Sequence, residues 1–321
     1  MKTIALLRRL FWLLFMCVGA AQAQSYPTKP VTVVVPFPPG GSSDVITRLI
    51  NVKLSDAFKQ TFLTDNKPGA GTLIGTAYVA KAAPDGYTLL LADVPFSVNP
   101  TVIPSANYDP VKDFTPITIV GASAQFLYAN PSRMKSLAEL LAAAKAKPGQ
   151  VTMATAGNGT TTHLMTEMLQ AGAGVKLLQV PYKGSAPALN DAAAGHVDAV
   201  FSTLASAAPL VSAGKLRVIA VTSPKRLPQF PDVPTFSEVG ITDLVVEHWW
   251  GMLGPAAMPR DIVQRLQTEI AKAVAAPDIR ERFNALSVEP RTGTPEAFRD
   301  LIDSYVKRWA RVVKENKIKA E

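Results

Sequence analysis

One cysteine (Cys17), three histidines and a charged fraction of 18% are spread over 321 residues. A lone thiol excludes a disulfide scaffold and a multi-cysteine zinc or iron–sulfur centre. So few charges, beside 48% hydrophobic residues, exclude a disordered chain and leave ample material for buried cores. Aromatic residues make up 7% and are not interleaved with any basic stripe, so nothing marks a nucleic-acid surface. No apolar run, the N-terminal one included, reaches the roughly 20 residues of a spanning helix. Nucleotide and hydrolase signatures are missing too. There is no Gly-x-x-x-x-Gly-Lys-Ser/Thr, Gly-x-Gly-x-x-Gly, Gly-x-Ser-x-Gly or His-Glu-x-x-His.

Present instead is the layout of a secretory leader over residues 1–23. Lys2, Arg8 and Arg9 precede a 12-residue apolar run, Leu10 to Ala21, and Ala21-Gln22-Ala23 is a small-x-small cleavage site. Met16 disfavours lipoprotein processing at Cys17. Removing the leader takes away three positive charges and no negative one, so the formal net charge falls from +8 to +5. It also removes the cysteine, which suits an oxidising compartment such as a periplasm. The length suggests about two domains.

The rest of the chain alternates strand and helix patterns. Val31 to Val35 reads as a buried strand, and Ile46, Ile50, Leu54 and Phe58 recur at helical spacing after a Pro/Gly loop. Strands are expected at 61–64, 87–92, 151–155, 176–180, 197–201 and 216–221. Helices are expected at 72–82, 160–171, 185–194, 260–276 and 295–314. Such alternation predicts α/β architecture with parallel sheets. The pattern suggests one lobe built from both ends of the chain (24–122 and 223–321) with a second (123–222) inserted.

Three segments share one design: Pro36–Asp44, Thr155–Leu164 and Val180–Ala188. Each runs from a strand through a nearly uncharged Gly-containing loop into a helix that opens with small hydroxyl residues. Unpaired N–H groups and the positive end of the helix dipole make such a start an anion site. The same pattern also serves as an ordinary capped βα turn. Ser42 and Ser43 are expected to cap the first helix. Asp93 ends a central strand, where open α/β sheets meet ligands. Asp44 suits the first turn of its helix, and Lys183 is the one cation in the three loops. His163 and Glu167, one helical turn apart, form at most half a metal site. His248 beside Trp249 and Trp250 reads as packing, and the basic run from Lys314 to Lys319 as a solvated helix end.

These residues carry a family resemblance. It rests on Tyr26-Pro-x-Lys-Pro30, Val35-Pro-Phe-Pro-Pro-Gly-Gly41 with Asp44, Asn66-Lys-Pro-Gly-Ala-Gly71 and Pro84-Asp-Gly-Tyr-Thr88. It continues in Ala156-Gly-Asn-Gly159 with His163-Leu164, Val180-Pro-Tyr-Lys-Gly184, Gly195-His-Val-Asp198 and Asp232-Val-Pro-Thr-Phe236. In that order they resemble the Bug family, the TctC-like periplasmic solute-binding receptors of tripartite tricarboxylate transporters. The resemblance implies a two-lobed Venus-flytrap fold, each lobe a mainly parallel sheet flanked by helices, with a hinge between. It implies a small organic carboxylate held between the lobes, delivery to membrane permease subunits, a monomer, no cofactor and no catalysis. Carried over by position, the ligand residues are Phe37, Gly40, Gly41 and Ser42; Ala156, Gly157, Thr160 and Thr161; and Tyr182, Gly184 and Ser185. Asp93 joins them from its place at the strand end. The chain departs from the family at Ser202-Thr203, where an acidic residue is common, and in the loop Ala92–Phe96. Asp93 with Phe96 is expected to favour an amino-bearing or aromatic acid. An exported α/β enzyme, or a receptor for a signalling partner, are the competing readings.

Overall fold

The computed structural model describes residues 26–315. The expected leader with Cys17, and the tail beyond Glu315, lie outside the described residues. Among those described, no helix is long and apolar enough to cross a membrane.

The chain opens with β1 (Val31–Val35), α1 (Ser42–Phe58), β2 (Phe62–Asn66), α2 (Leu73–Ala80), β3 (Thr88–Asp93), α3 (Val94–Val102) and β4 (Phe114–Ala124). It continues through β5 (Phe126–Ala129), α4 (Leu137–Ala146), β6 (Thr152–Thr155), α5 (Thr161–Ala173), β7 (Leu178–Pro181) and α6 (Ser185–Ala194). Then come β8 (Ala199–Ser202), α7 (Leu204–Ser212), β9 (Arg217–Val221) and β10 (Glu247–Pro255). It ends with α8 (Arg260–Ala275), α9 (Pro277–Ala285), β11 (Glu289–Pro290) and α10 (Pro295–Glu315).

Two sheets result, in the orders β11-β4-β10-β3-β1-β2 and β7-β6-β8-β5-β9. Each has a parallel βαβ part, β2-β1-β3 in the first and β7-β6-β8 in the second. Each also holds a reversed interior strand. β10 runs antiparallel to both β3 and β4, and β5 to both β8 and β9. The pairing is therefore mixed, with a parallel βαβ part in each sheet.

β10 was not visible in the sequence pattern because two glycines and a proline interrupt it. Pleating sends Trp249 and Trp250 to opposite faces. Trp249 packs edge-on against Phe298 and Tyr305 of α10, while Trp250 joins the core under α8. α10 buries Phe298, Ile302, Tyr305, Trp309 and Val313, one helical stripe. Helix α3 stands where a loop was expected. Pro95 fits its first turn. Pro100, inside the helix, cannot donate to the carbonyl of Phe96, and Tyr108 does so instead through its hydroxyl at 2.8 Å. Phe96 stacks on Tyr108 and meets Phe114 edge-on, so it belongs to the core and not to a binding site.

The chain passes from the first sheet to the second at Gln125, between β4 and β5, and leaves the second after β9 at Thr222. These crossings are tied together. Gln125 N donates to Thr222 Oγ1 at 2.9 Å, Thr222 N donates to Gln125 O at 2.9 Å, and Thr222 Oγ1 donates to Val246 O at 2.6 Å.

Candidate functional site between the two sheets

Four helices open toward one chamber. Residues at the starts of α1 (Gly41, Ser42, Ser43), α5 (Thr160, Thr161, Thr162), α6 (Ser185) and α7 (Thr203) line it. Local sequence explains this. Each strand ends on a short loop with glycine, proline or hydroxyl residues, so the next helix begins at the strand's carboxyl end. None of the four N-cap residues (Gly41, Thr160, Gly184, Thr203) accepts a bond from its own helix through its side chain. The first-turn N–H groups and the positive dipole ends are thus left for whatever occupies the chamber.

Ser42 and Ser43 do not cap α1 as expected, because Gly41 occupies the cap position. Ser43 instead donates its hydroxyl to Asp93 Oδ2 at 3.0 Å.

The chamber is a cavity of about 30 Å³. Phe37, Pro38 and Pro95 supply apolar wall, and no lysine or arginine lines it. Several buried polar atoms on this wall make no hydrogen bond within the protein: Thr161 Oγ1, Ser202 Oγ, Thr203 Oγ1, Gln125 Oε1 and His248 Nε2. Buried polar groups are nearly always paired, so such a cluster marks a place built to meet a ligand or water.

A wider cavity of about 740 Å³ shares Phe37, Pro38, Ala156 and Thr160 with the chamber and forms its mouth. One side is the loop Pro68–Leu73 with Ile103; the other is Gly157, Asn158 and Tyr182 to Gly184. The two sides touch closely. A Cβ on Gly184 would lie 2.8 Å from Pro38 Cδ across the cleft.

Of the sequence candidates, Phe37, Gly41, Ser42, Asp93, Ala156, Thr160, Thr161 and Ser185 meet on the chamber wall. Gly157, Tyr182 and Gly184 lie on the mouth. The Tyr182 hydroxyl is engaged with Asp191 at 2.6 Å, so its ring is what the mouth sees. Burial, with that bond and charge, pushes the Tyr182 pKa up to about 12. Gly40 lines neither cavity; its amide donates to Asp44 Oδ2 at 3.0 Å. Asp44 is structural. Burial works to raise its pKa, but bonds from Arg48, the Gly40 amide and Asn66 outweigh that and hold it below the usual value. His163 Nδ1 faces the Gly159 amide at 3.3 Å and Glu167 bonds Gln179. Among the described residues no cluster could hold a metal. Lys183 is exposed at the mouth.

Sequence reasoning missed Ser43, Gln125, Thr162 and His248. Asp93, at the end of β3, has His248 Nε2 3.5 Å from its Oδ2. His248 Nδ1 lies 3.0 Å from Gln125 Nε2. A chain of polar contacts therefore runs from Gln125, at the crossing between the sheets, through His248 and Asp93 to Ser43.

Residues 46–318 match the family described as the tripartite tricarboxylate transporter family receptor (TctC). BugT of Bordetella pertussis is 37% identical over 296 residues, 91% of each chain. The chain belongs to this receptor family. Among solved structures, a Rhodopseudomonas palustris protein with adipate is similar to the receptor at TM-score 0.88 and 33% identity, covering 92% of this chain and 99% of that one. MatC from the same organism with bound malate gives 0.86 and 30%, covering 90% and 100%. The two-lobed α/β architecture is thus shared with periplasmic binding proteins. Within it, the receptor carries Ser202 and Thr203 as unpartnered hydroxyls on the chamber wall.

Proposed function

We propose that this protein captures a small carboxylate in the chamber between its lobes and delivers it to membrane permease subunits. Four helix starts without side-chain caps, converging on one chamber with no cationic side chain, carry this reading. Such starts bind anions through backbone N–H groups and dipole ends. The adipate and malate in related structures support a carboxylate as the occupant. The leader, residues 1–23, exports the chain to the periplasm. One lobe spans residues 24–122 with 223–321 and the other 123–222, turning about Gln125 and Thr222. The receptor acts as a monomer without cofactor and without turning over its ligand.

A thermal-shift screen of the refolded protein against mono-, di- and tricarboxylates, amino acids and aromatic acids tests this. A ligand that binds the native state alone must raise the melting midpoint. If none of these acids raises it, the reading fails.

A further inference from the structure

We infer that the chamber selects an amino acid, with its ammonium group held by Asp93. The inference rests on the receptor reading and adds the class of ligand. Asp93 is buried and lines the chamber, yet within the protein it accepts one hydroxyl bond, from Ser43, and faces one imidazole nitrogen at a long 3.5 Å. A carboxylate taken out of water needs more donors or a cation. With the Gln125 amide nitrogen toward His248 Nδ1, that ring nitrogen accepts and the ring proton sits on Nε2, facing Asp93. Beside that one N–H at 3.5 Å and the Ser43 hydroxyl, the carboxylate has only the start of α3, and no lysine or arginine lines the chamber.

The missing cation is therefore supplied by the ligand. An ammonium group offers three N–H donors and a full charge. The opposite side of the chamber suits the ligand's carboxylate, with the helix starts of α5, α6 and α7 and the unpartnered hydroxyls of Thr161, Ser202 and Thr203. The lobes thus present two poles, one for the cation and one for the anion. A plain dicarboxylate would turn its second carboxylate toward Asp93.

Matched pairs test this on the unaltered protein by calorimetric titration: L-aspartate against succinate, L-glutamate against glutarate, and γ-aminobutyrate against butyrate. Each amine-bearing acid is expected to bind at least 10-fold more tightly than its partner. Asp93→Asn is expected to erase that preference, costing the amino acids about 30-fold or more and relieving the repulsion of a dicarboxylate's second carboxylate. The pairs are read on the natural chain, so the comparison stands even where the variant fails to fold. Succinate, glutarate or butyrate binding as tightly as its amino partner overturns the inference and leaves the receptor reading in place. If no member of any pair binds, while another carboxylate stabilises the protein in the screen, the inference alone falls. If no acid of any kind binds, both fall.

Discussion

Gly71 is where closure of the cleft can be tested with one methyl group. It sits between β2 and α2 at φ +62°, and Asn99 donates to its carbonyl. A Cβ placed there would lie 2.8 Å from the backbone oxygen of Asn158, on the far side of the mouth. That is roughly 0.5 Å inside ordinary contact, and the obstructing atom is backbone that cannot swing aside. Gly71→Ala therefore does two separable things. Left-handed backbone at a non-glycine residue costs about 1 kcal/mol, and this cost is paid within one lobe whether or not the cleft is shut. Overpacking across the mouth costs a further ~1–3 kcal/mol, and only when the lobes meet. If capture requires the lobes to meet, the second cost appears as a loss of affinity of about 5- to 150-fold. Gly149→Ala is the control. Gly149 also has positive φ, +75°, but a Cβ there meets nothing within 4 Å. It is expected to lower the melting midpoint of the ligand-free protein by a similar small amount and to leave affinity unchanged. Titration calorimetry with a ligand from the screen, paired with thermal melts, separates the two. Wild-type affinity in Gly71→Ala would refute the argument, because the mouth would then not close against Asn158 during capture.

Thr222→Val leaves the Gln125 amide without its acceptor and the Val246 carbonyl without its donor, both at the buried crossing. Stability in urea is expected to fall by about 1–3 kcal/mol; a loss below ~0.5 kcal/mol would mean that water replaces the hydroxyl. Asp198 sets an acid limit. Its burial acts to raise the carboxyl pKa, but the Thr152 amide and hydroxyl, both at 2.8 Å, and Arg133 outweigh it and lower the value. A lowered native pKa contributes stability that is complete above the unfolded value of about 3.9 and is lost as pH falls through the native one. Most of this comes from the two Thr152 bonds, since Arg133 is half exposed and its charge is screened. Melting midpoints measured from about pH 6 to pH 2.5 are expected to drop less steeply in Asp198→Asn than in the natural protein; equal slopes would count against this account.

Much of the fold could be read because its signals were local. β1 is an unbroken valine-rich run and α6 is bracketed by Gly184 and Gly195, so their bounds match the sequence expectation. What stayed hidden needed knowledge of partners far along the chain. α3 contains two prolines, and the inner one is tolerated because the hydroxyl of Tyr108 takes over the carbonyl of Phe96. β10 holds Gly251 and Gly254, which weaken its strand signal, yet it is central because Gly251 gives room to the Phe298 ring of a helix that follows it in sequence. The polar chain behind the chamber was hidden for the same reason. β3 and β10 are antiparallel neighbours with Asp93 opposite Trp250, so His248, two residues along, falls on the same face. Spacing along the sequence says nothing of that pairing.

The two poles of the chamber also limit what it takes. An amino acid with an additional carboxylate sets two anionic groups on helix starts and one cationic group on Asp93, whereas a dicarboxylate has no cation to set there. The net positive charge of the chain is a separate matter. It raises the concentration of anions near the surface and weakens with salt, whereas the chamber's contacts are buried and screened far less. Raising the ionic strength should therefore slow association for every acid tested and leave the ranking between them intact.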